Sequence, residues 1–281
     1  MIERRPLTRV DFRTIRDSDE WGTVLRDHEI RSALLDYSDN SFDEALELGC
    51  GSGHNSKTLA SYCGHLTATE FDAAKLQASD DEKTTFIVAD AQDLSAFPDS
   101  SMDLIFSSNL IEHLPDVDRC LCECRRVVKP DGIIVHTVPN NTWKTFNLLL
   151  FYPALAMQLA ARLLGRRRSG GGSPTVVDAP AALSDNLQPV ARSGFALHKL
   201  APRVHGISCN HVQEIWNWRE RRWRNVFGRN GLEIVRVVRL PFYFGHGYRF
   251  RTLLRLGNYV GLSSCTAYIL SRPKSAGHAT D

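Results

Sequence analysis

The chain has 281 residues, 43% hydrophobic and 23% charged, with 34 Lys+Arg against 32 Asp+Glu for a formal net charge of +2. This is the balance of an ordinary globular protein, long enough for one large domain or one domain with an insertion. The seven cysteines, at 50, 63, 120, 122, 124, 209 and 265, are odd in number and irregular in spacing, which argues against a disulfide scaffold and for reduced thiols. Met1–Arg5 carries no apolar stretch of the secretory kind, so a cytoplasmic protein is expected.

In chain order, the first strong signal is a buried strand at Phe42–Leu46, then Glu47-Leu48-Gly49-Cys50-Gly51-Ser52-Gly53, then a helix from His54. A strand, a glycine-rich turn and a helix N-terminus place backbone N–H groups where a ligand can approach, because glycine turns tightly and holds nothing off. The spacing is G-x-G-x-G with an acid two residues ahead, whereas a dinucleotide loop is usually G-x-G-x-x-G. An acid there suits a cationic ligand and repels a pyrophosphate. Leu66–Phe71 reads as a second strand, with Glu70 placed 19 residues after Gly51, near the offset of a ribose-binding carboxylate. A strand-end acid of no special role fits the same residue. Thr84–Leu94 reads as a third strand running into an acidic turn, and Met102–Asn109 as a fourth, followed by Ile111-Glu112-His113-Leu114. After a helix, Val128–Gly132 turns into a fifth strand, Ile133–Asn140.

Five segments in this order, ELGCGSG, ATEFD, VADAQDL, SSNLIEHL and RVVKPDG, make residues 43 to 140 resemble a class I S-adenosylmethionine-dependent methyltransferase, of the group that includes the quinone-biosynthesis enzymes. The last segment more often ends Pro-Gly-Gly, and a turn tolerates Pro130-Asp131-Gly132. The resemblance implies an α/β fold: a doubly wound, Rossmann-like sheet of seven strands with the last antiparallel. It implies S-adenosylmethionine as cofactor. Glu47 and the backbone of Gly49, Gly51 and Gly53 would hold its methionine end, Glu70 its ribose hydroxyls, and Asp90 with Ala91 its adenine amine. Ser107 would line the same site. For Asp90, a plain turn aspartate is the alternative.

Cys120, Cys122 and Cys124 fall on the helix between the fourth and fifth strands. Cys120 and Cys124 share a face and Cys122 does not, so packing is expected rather than metal binding. No carboxylate–histidine set at ligand spacing stands out, and no metal is expected.

Charge divides the chain. Residues 1 to 140 carry 14 basic and 26 acidic side chains, and residues 141 to 281 carry 20 and 6. Such asymmetry suggests an anionic partner for the second half. The sequence predicts one Arg-rich helix that holds Arg219, Arg221, Arg222, Arg224 and Arg229, with Val212, Ile215, Trp216, Trp223, Val226 and Phe227 as its apolar stripe. The arginines are either a solvated face or a functional patch. No RNA-binding motif accompanies them, so a nucleic-acid partner is not expected.

A helical insertion separates strands five and six. It opens at Trp143, continues through Leu148–Leu164 and ends in Arg166-Arg167-Arg168. The apolar run is short of the roughly 20 residues of a spanning helix. It fits either a helix lying in an anionic membrane interface or a lid over the active site. A flexible linker is expected near 165–190, from Ser169-Gly170-Gly171-Gly172-Ser173-Pro174. A Pro-x-x-His-Gly element, Pro202 to Gly206, looks like one in methyltransferases associated with bacterial surface polysaccharides. Leu232–Leu240 and Ala267–Leu270 read as the last two strands, paired antiparallel. The expected organisation is therefore a cofactor-binding core with an N-terminal helix (1–140), an insertion (141–208), a helix and strands completing the core (209–271) and a tail (272–281).

Methyl transfer to an alcohol benefits from a base that takes the proton. His113, at the carboxyl edge of the sheet, and His205, in the insertion, are the candidates; each also fits a structural role. Asn109, Asn140 and Asn141 lie at strand ends and either orient the acceptor or cap the following segments. The leading expectation is O-methylation of a sugar or lipid-linked glycan, by a cytoplasmic protein in peripheral contact with the inner membrane. The alternatives are methylation of a lipophilic small molecule such as a quinone precursor or natural product, and an RNA-binding protein or RNA methyltransferase.

Overall fold

The computed structural model describes residues 3–5, 18–76, 81–168, 202, 204–243 and 250–273. Most of the expected linker, from 169 onward, and the tail from 274 lie outside them, while 165–168 belong to a helix.

The elements are β1 (Glu3–Arg5), α1 (Ser18–Ala33), β2 (Phe42–Leu48), α2 (His54–Leu59), β3 (Cys63–Glu70), β4 (Thr84–Val88), β5 (Met102–Ser108), α3 (Val117–Val127), β6 (Val128–Pro139), α4 (Asn141–Arg168), α5 (His211–Asn217), α6 (Glu220–Arg229), β7 (Glu233–Arg239), α7 (Arg251–Tyr259) and β8 (Cys265–Ser271), with a 3₁₀ turn at Ala60–Tyr62. The strands form one sheet in the order β1-β7-β8-β6-β5-β2-β3-β4. β8 runs antiparallel to β6 and β7, and every other pairing is parallel. From β2 onward this is the expected seven-stranded sheet. β1 adds an eighth strand, with Glu3 opposite Arg236.

Central parallel strands must be apolar on both faces, since helices cover each side. β2 obeys this: Ala45 joins the core layer of α1, α4 and α7, and Leu46 and Leu48 join the layer of α3 and α6. α3 is amphipathic, burying Val117, Cys120, Leu121, Cys124 and Val127, and Asp116 caps it by accepting from Arg119 N–H at 3.0 Å. Cys120 and Cys124 are buried and Cys122 is exposed, as packing requires.

Three local expectations are corrected. The turn expected at Val128–Gly132 is part of β6, which carries a register irregularity opposite Met102 and Leu104. Gly132 permits this, because a Cβ there would sit 2.9 Å from the Asp103 carbonyl. The Arg-rich helix is two helices, split at Trp218 and Arg219. Arg219 is extended (φ −74°, ψ 139°) and buried Trp218 anchors the break. The apolar stripe therefore divides: Trp223, Val226 and Phe227 enter the core, while Val212 and Trp216 face outward. Finally, α7 has no counterpart in the expected elements.

Candidate active site

The glycine turn joins β2 to α2 at the carboxyl edge of the sheet. Gly51 (φ 56°) and Gly53 (φ 82°) occupy left-handed backbone that a side chain would strain. Gly49 seats the loop against Leu110, the residue after Asn109. The loop is tied to β3: Cys50 N–H donates to the Thr69 carbonyl at 2.8 Å and Gly51 N–H to Glu70 Oε2 at 3.0 Å. Asp72 N–H donates to the other Glu70 oxygen at 3.1 Å. Because β2, β3 and β4 are neighbours, Glu47, Gly49–Gly53, Glu70, Asp90 and Ala91 come together along one stretch of this edge. Asp90 is held in shape by Gln92, whose backbone N–H donates to its Oδ1 at 2.9 Å.

Glu47 is almost fully buried, and burial pushes its carboxyl up to about 7, against the hydrogen bond from Ser56 Oγ at 2.6 Å and the charge of Arg26. A carboxylate in that condition gains most from a cationic ligand. The residues thus fit S-adenosylmethionine: Glu47 and the glycine backbone suit an amino-acid end, Glu70 a diol and Asp90 an amine. Ser107 differs from expectation. Its side chain is wholly buried within the sheet, with its hydroxyl 2.7 Å from His136 Nδ1 on the neighbouring strand.

The acceptor side forms beyond β5. Asn109 adopts a left-handed conformation (φ 50°), and its N–H donates to the Thr137 carbonyl at 2.9 Å. His113 follows on the same segment. His205 arrives from the other side of the insertion, and the reason is Gly206: at φ 65° it packs on Glu112, where a Cβ would lie 2.4 Å from the carbonyl oxygen. The two histidines are neighbours as a result. His113 is pushed down to about 4, by burial first and then by His205. His205 stands edge-on to Trp143, ring centroids 5.0 Å apart, and its Nδ1 lies 3.6 Å from Glu214 Oε1.

Asn140 and Asn141 do structural work. Asn140 Oδ1 accepts from Thr142 N–H at 3.0 Å, capping α4, and its amide donates to the Ser263 carbonyl at 3.0 Å. The Asn141 amide, oriented to satisfy its neighbours, donates to the Ile215 carbonyl at 2.8 Å and so ties α4 to α5. Both are corrections to an acceptor-orienting role, because both polar side-chain atoms of Asn140 and the amide nitrogen of Asn141 are spent on the chain.

Sequence reasoning missed the pair that holds this side together. Lys144 Nζ lies 2.5 Å from Glu214 Oε2, and both side chains are buried. His211 Nδ1 is 3.7 Å from the same oxygen. Burial pulls the Lys144 ammonium down, while His205 and Lys144 hold the Glu214 carboxyl below its ordinary range against burial. The available signal was Glu214 itself, one of only six acids in a strongly basic half. Two more buried carboxyls flank the site: Glu29, pushed up to about 7, and Glu112, to about 8, each mainly by burial. Part of the acidic surplus of the first half is therefore interior.

Residues 46–136 match the family described as a methyltransferase domain. A ubiquinone biosynthesis O-methyltransferase of Aromatoleum aromaticum is 24% identical over 149 residues, covering 50% of this chain and 62% of that protein. A Mycobacterium tuberculosis protein named a probable S-adenosylmethionine-dependent methyltransferase is 29% identical over 136 residues, covering 48% of this chain and 49% of that one. The matches thus span only about half to three-fifths of these relatives' own lengths. Among solved structures, an S-adenosylmethionine-dependent methyltransferase from Mesorhizobium loti shares the fold at TM-score 0.50 and 15% identity, over 88% of this chain and 98% of that one. A chain of a Haloferax volcanii complex between a methyltransferase and its activator does so at TM-score 0.53 and 16% identity, over 92% and 100%. The likeness to a methyltransferase domain thus rests on residues 46–136, the segment that carries the glycine turn and the acids at three adjacent strand ends.

Proposed function

We propose that the protein methylates a hydroxyl group of a sugar or lipid-linked glycan. The observation that carries this reading is the meeting of His113 and His205 beside the cofactor edge, with the buried Glu214 carboxylate behind His205. When bound, S-adenosylmethionine supplies an electrophilic methyl group. This chain's residues then need to align an oxygen nucleophile, take its proton and exclude water. A histidine faced at Nδ1 by a carboxylate offers Nε2 as the base, and the carboxylate stabilises the imidazolium that forms. His113, held neutral near physiological pH, can donate its ring N–H to the same oxygen without adding positive charge beside a sulfonium. Trp143 and Trp218 wall the His205 side with apolar surface.

The test is label transfer from methyl-labelled cofactor into glycan lipids and soluble sugars, with His205→Ala and His113→Ala. Losing a general base costs about 10²–10⁴-fold in rate. The His205→Ala loss is expected in that range, with cofactor affinity unchanged. Wild-type rates in both variants would remove the base assignment. A second reading, a quinone precursor as acceptor, is favoured by the name of the Aromatoleum relative. Label entering a quinone precursor and no glycan would replace the first reading with it. Among the described residues no three His, Cys, Asp or Glu converge on a metal position. Transfer is expected to survive EDTA, and a large loss restored by magnesium would contradict that.

A further inference from the structure

We propose that the outward face of α4, with Trp216 and Arg219 beside it, docks on an anionic lipid surface and so holds the protein where a lipid-borne acceptor is found. The inference takes its purpose from the lipid-linked reading above, and it is tested without methyl transfer.

α4 has two unlike sides. Inward, Trp143, Lys144 and Ala154 are buried, and Phe146 meets Phe242 edge-on at 4.7 Å. Outward, Thr145, Leu149, Tyr152, Pro153, Ala156, Met157 and Ala160 are exposed, at the three- and four-residue steps of one helical stripe. A surface helix ordinarily carries its charges on that stripe. Here none of the residues 145 to 161 is charged, and Leu149 is 66% exposed, Tyr152 59% and Met157 46%. Apolar surface left open on this scale marks a contact.

Charge decides what the contact is. The sequence puts Arg162, Arg166, Arg167 and Arg168 at the far end of α4. At the near end, where Lys144 and Asn141 tie α4 to α5, Trp216 is 62% exposed and the Arg219 guanidinium lies 3.7 Å over its ring. Val212, one turn earlier on α5, is 77% exposed. An apolar strip with arginines at its end and an open tryptophan under a guanidinium matches a bilayer interface, where indole rings settle at headgroup depth and anionic lipids draw basic side chains. A second copy of the chain would have to meet this surface with the same apolar and basic groups. Among the described residues no helix is long and apolar enough to cross a membrane, so α4 would lie in the plane. Trp216 lies two residues from Glu214 on α5 and points to the opposite side of the helix, so docking there sets α5 between the lipid and His205.

The experiment is sedimentation of the full chain with vesicles of phosphatidylcholine alone and of equal parts phosphatidylcholine and phosphatidylglycerol. Binding to the mixed vesicles only, weakening with salt, is expected. Leu149→Glu with Tyr152→Glu, and separately Trp216→Ser, should each lower partition about tenfold while cofactor affinity, which reports folding, stays unchanged. Bromine-labelled lipid should quench the fluorescence that Trp216→Ser removes, which keeps the test open even if the double variant fails to fold. Absence of partition, equal partition on neutral and mixed vesicles, or variants that split a dimer while leaving vesicle binding intact would each overturn the proposal. None of these outcomes touches the methyl-transfer reading, which is decided by label.

Discussion

Glu47→Gln is expected to make the protein more stable and a poorer cofactor binder. Burial raises the Glu47 carboxyl from the ordinary 4.5 to about 7. Below pH 4.5 it is protonated whether the chain is folded or not, and no penalty exists. Between 4.5 and 7 the folded state holds a proton that the unfolded state has released, so stability falls as pH rises. Above about 7 the full cost of a desolvated charge is present, about 3 kcal/mol at 1.36 kcal/mol per unit. Glutamine removes the charge and keeps an acceptor for Ser56, though its amide needs a partner, so a gain of about 2 kcal/mol at pH 8 is expected. In a chain of this size that raises Tm by roughly 4–8 °C, with the difference vanishing toward pH 4.5. The lost ammonium contact should weaken cofactor binding by roughly 10–100-fold. Thermal melts at pH 5 and pH 8, with and without S-adenosylmethionine, measure both. A variant less stable than wild type at pH 8 with unchanged cofactor affinity would show that Glu47 serves the fold alone.

Lys144→Met should be the most damaging single change away from the cofactor loop. It leaves the Glu214 carboxylate buried beside two histidines and without its ammonium partner. Breaking a buried pair from one side costs about 3–5 kcal/mol, enough to threaten folding in a marginally stable protein. Lowering the pH relieves the fault, because Glu214 can take a proton. The loss in Tm should therefore be larger at pH 8 than at pH 5.5. Adding Glu214→Gln to Lys144→Met should recover most of it. A single variant with wild-type Tm at pH 8 would mean that the pair contributes nothing net.

The cofactor half was legible because its signals are local. Each strand end carries its own acid or glycine, and βα alternation fixes their order, so Glu47, Glu70 and Asp90 fall in a row once β2, β3 and β4 pair in parallel. The acceptor half depends on long-range contacts that no window of sequence contains. Lys144 and Glu214 lie 70 residues apart in the chain, and Gly206 gains meaning only from the Glu112 carbonyl it touches. Asn140 and Asn141 were placed at the right edge, yet the choice between cap and ligand depends on where an amide points. Ser107 differs for the related reason that its hydroxyl meets His136, its register partner on β6. β1, at three residues, and α7, short and interrupted by Gly257, are too brief for periodicity to register.

Isothermal titration of the full chain with S-adenosylmethionine, its demethylated product and NAD tests the central claim most directly. One site of micromolar affinity for the first two is expected, weakened strongly by Gly51→Arg and by Glu70→Ala, with no heat from NAD. A silent titration with both methyl-donor forms, together with tight NAD binding, would contradict the assignment of the glycine turn and its three acids to a methyltransferase cofactor.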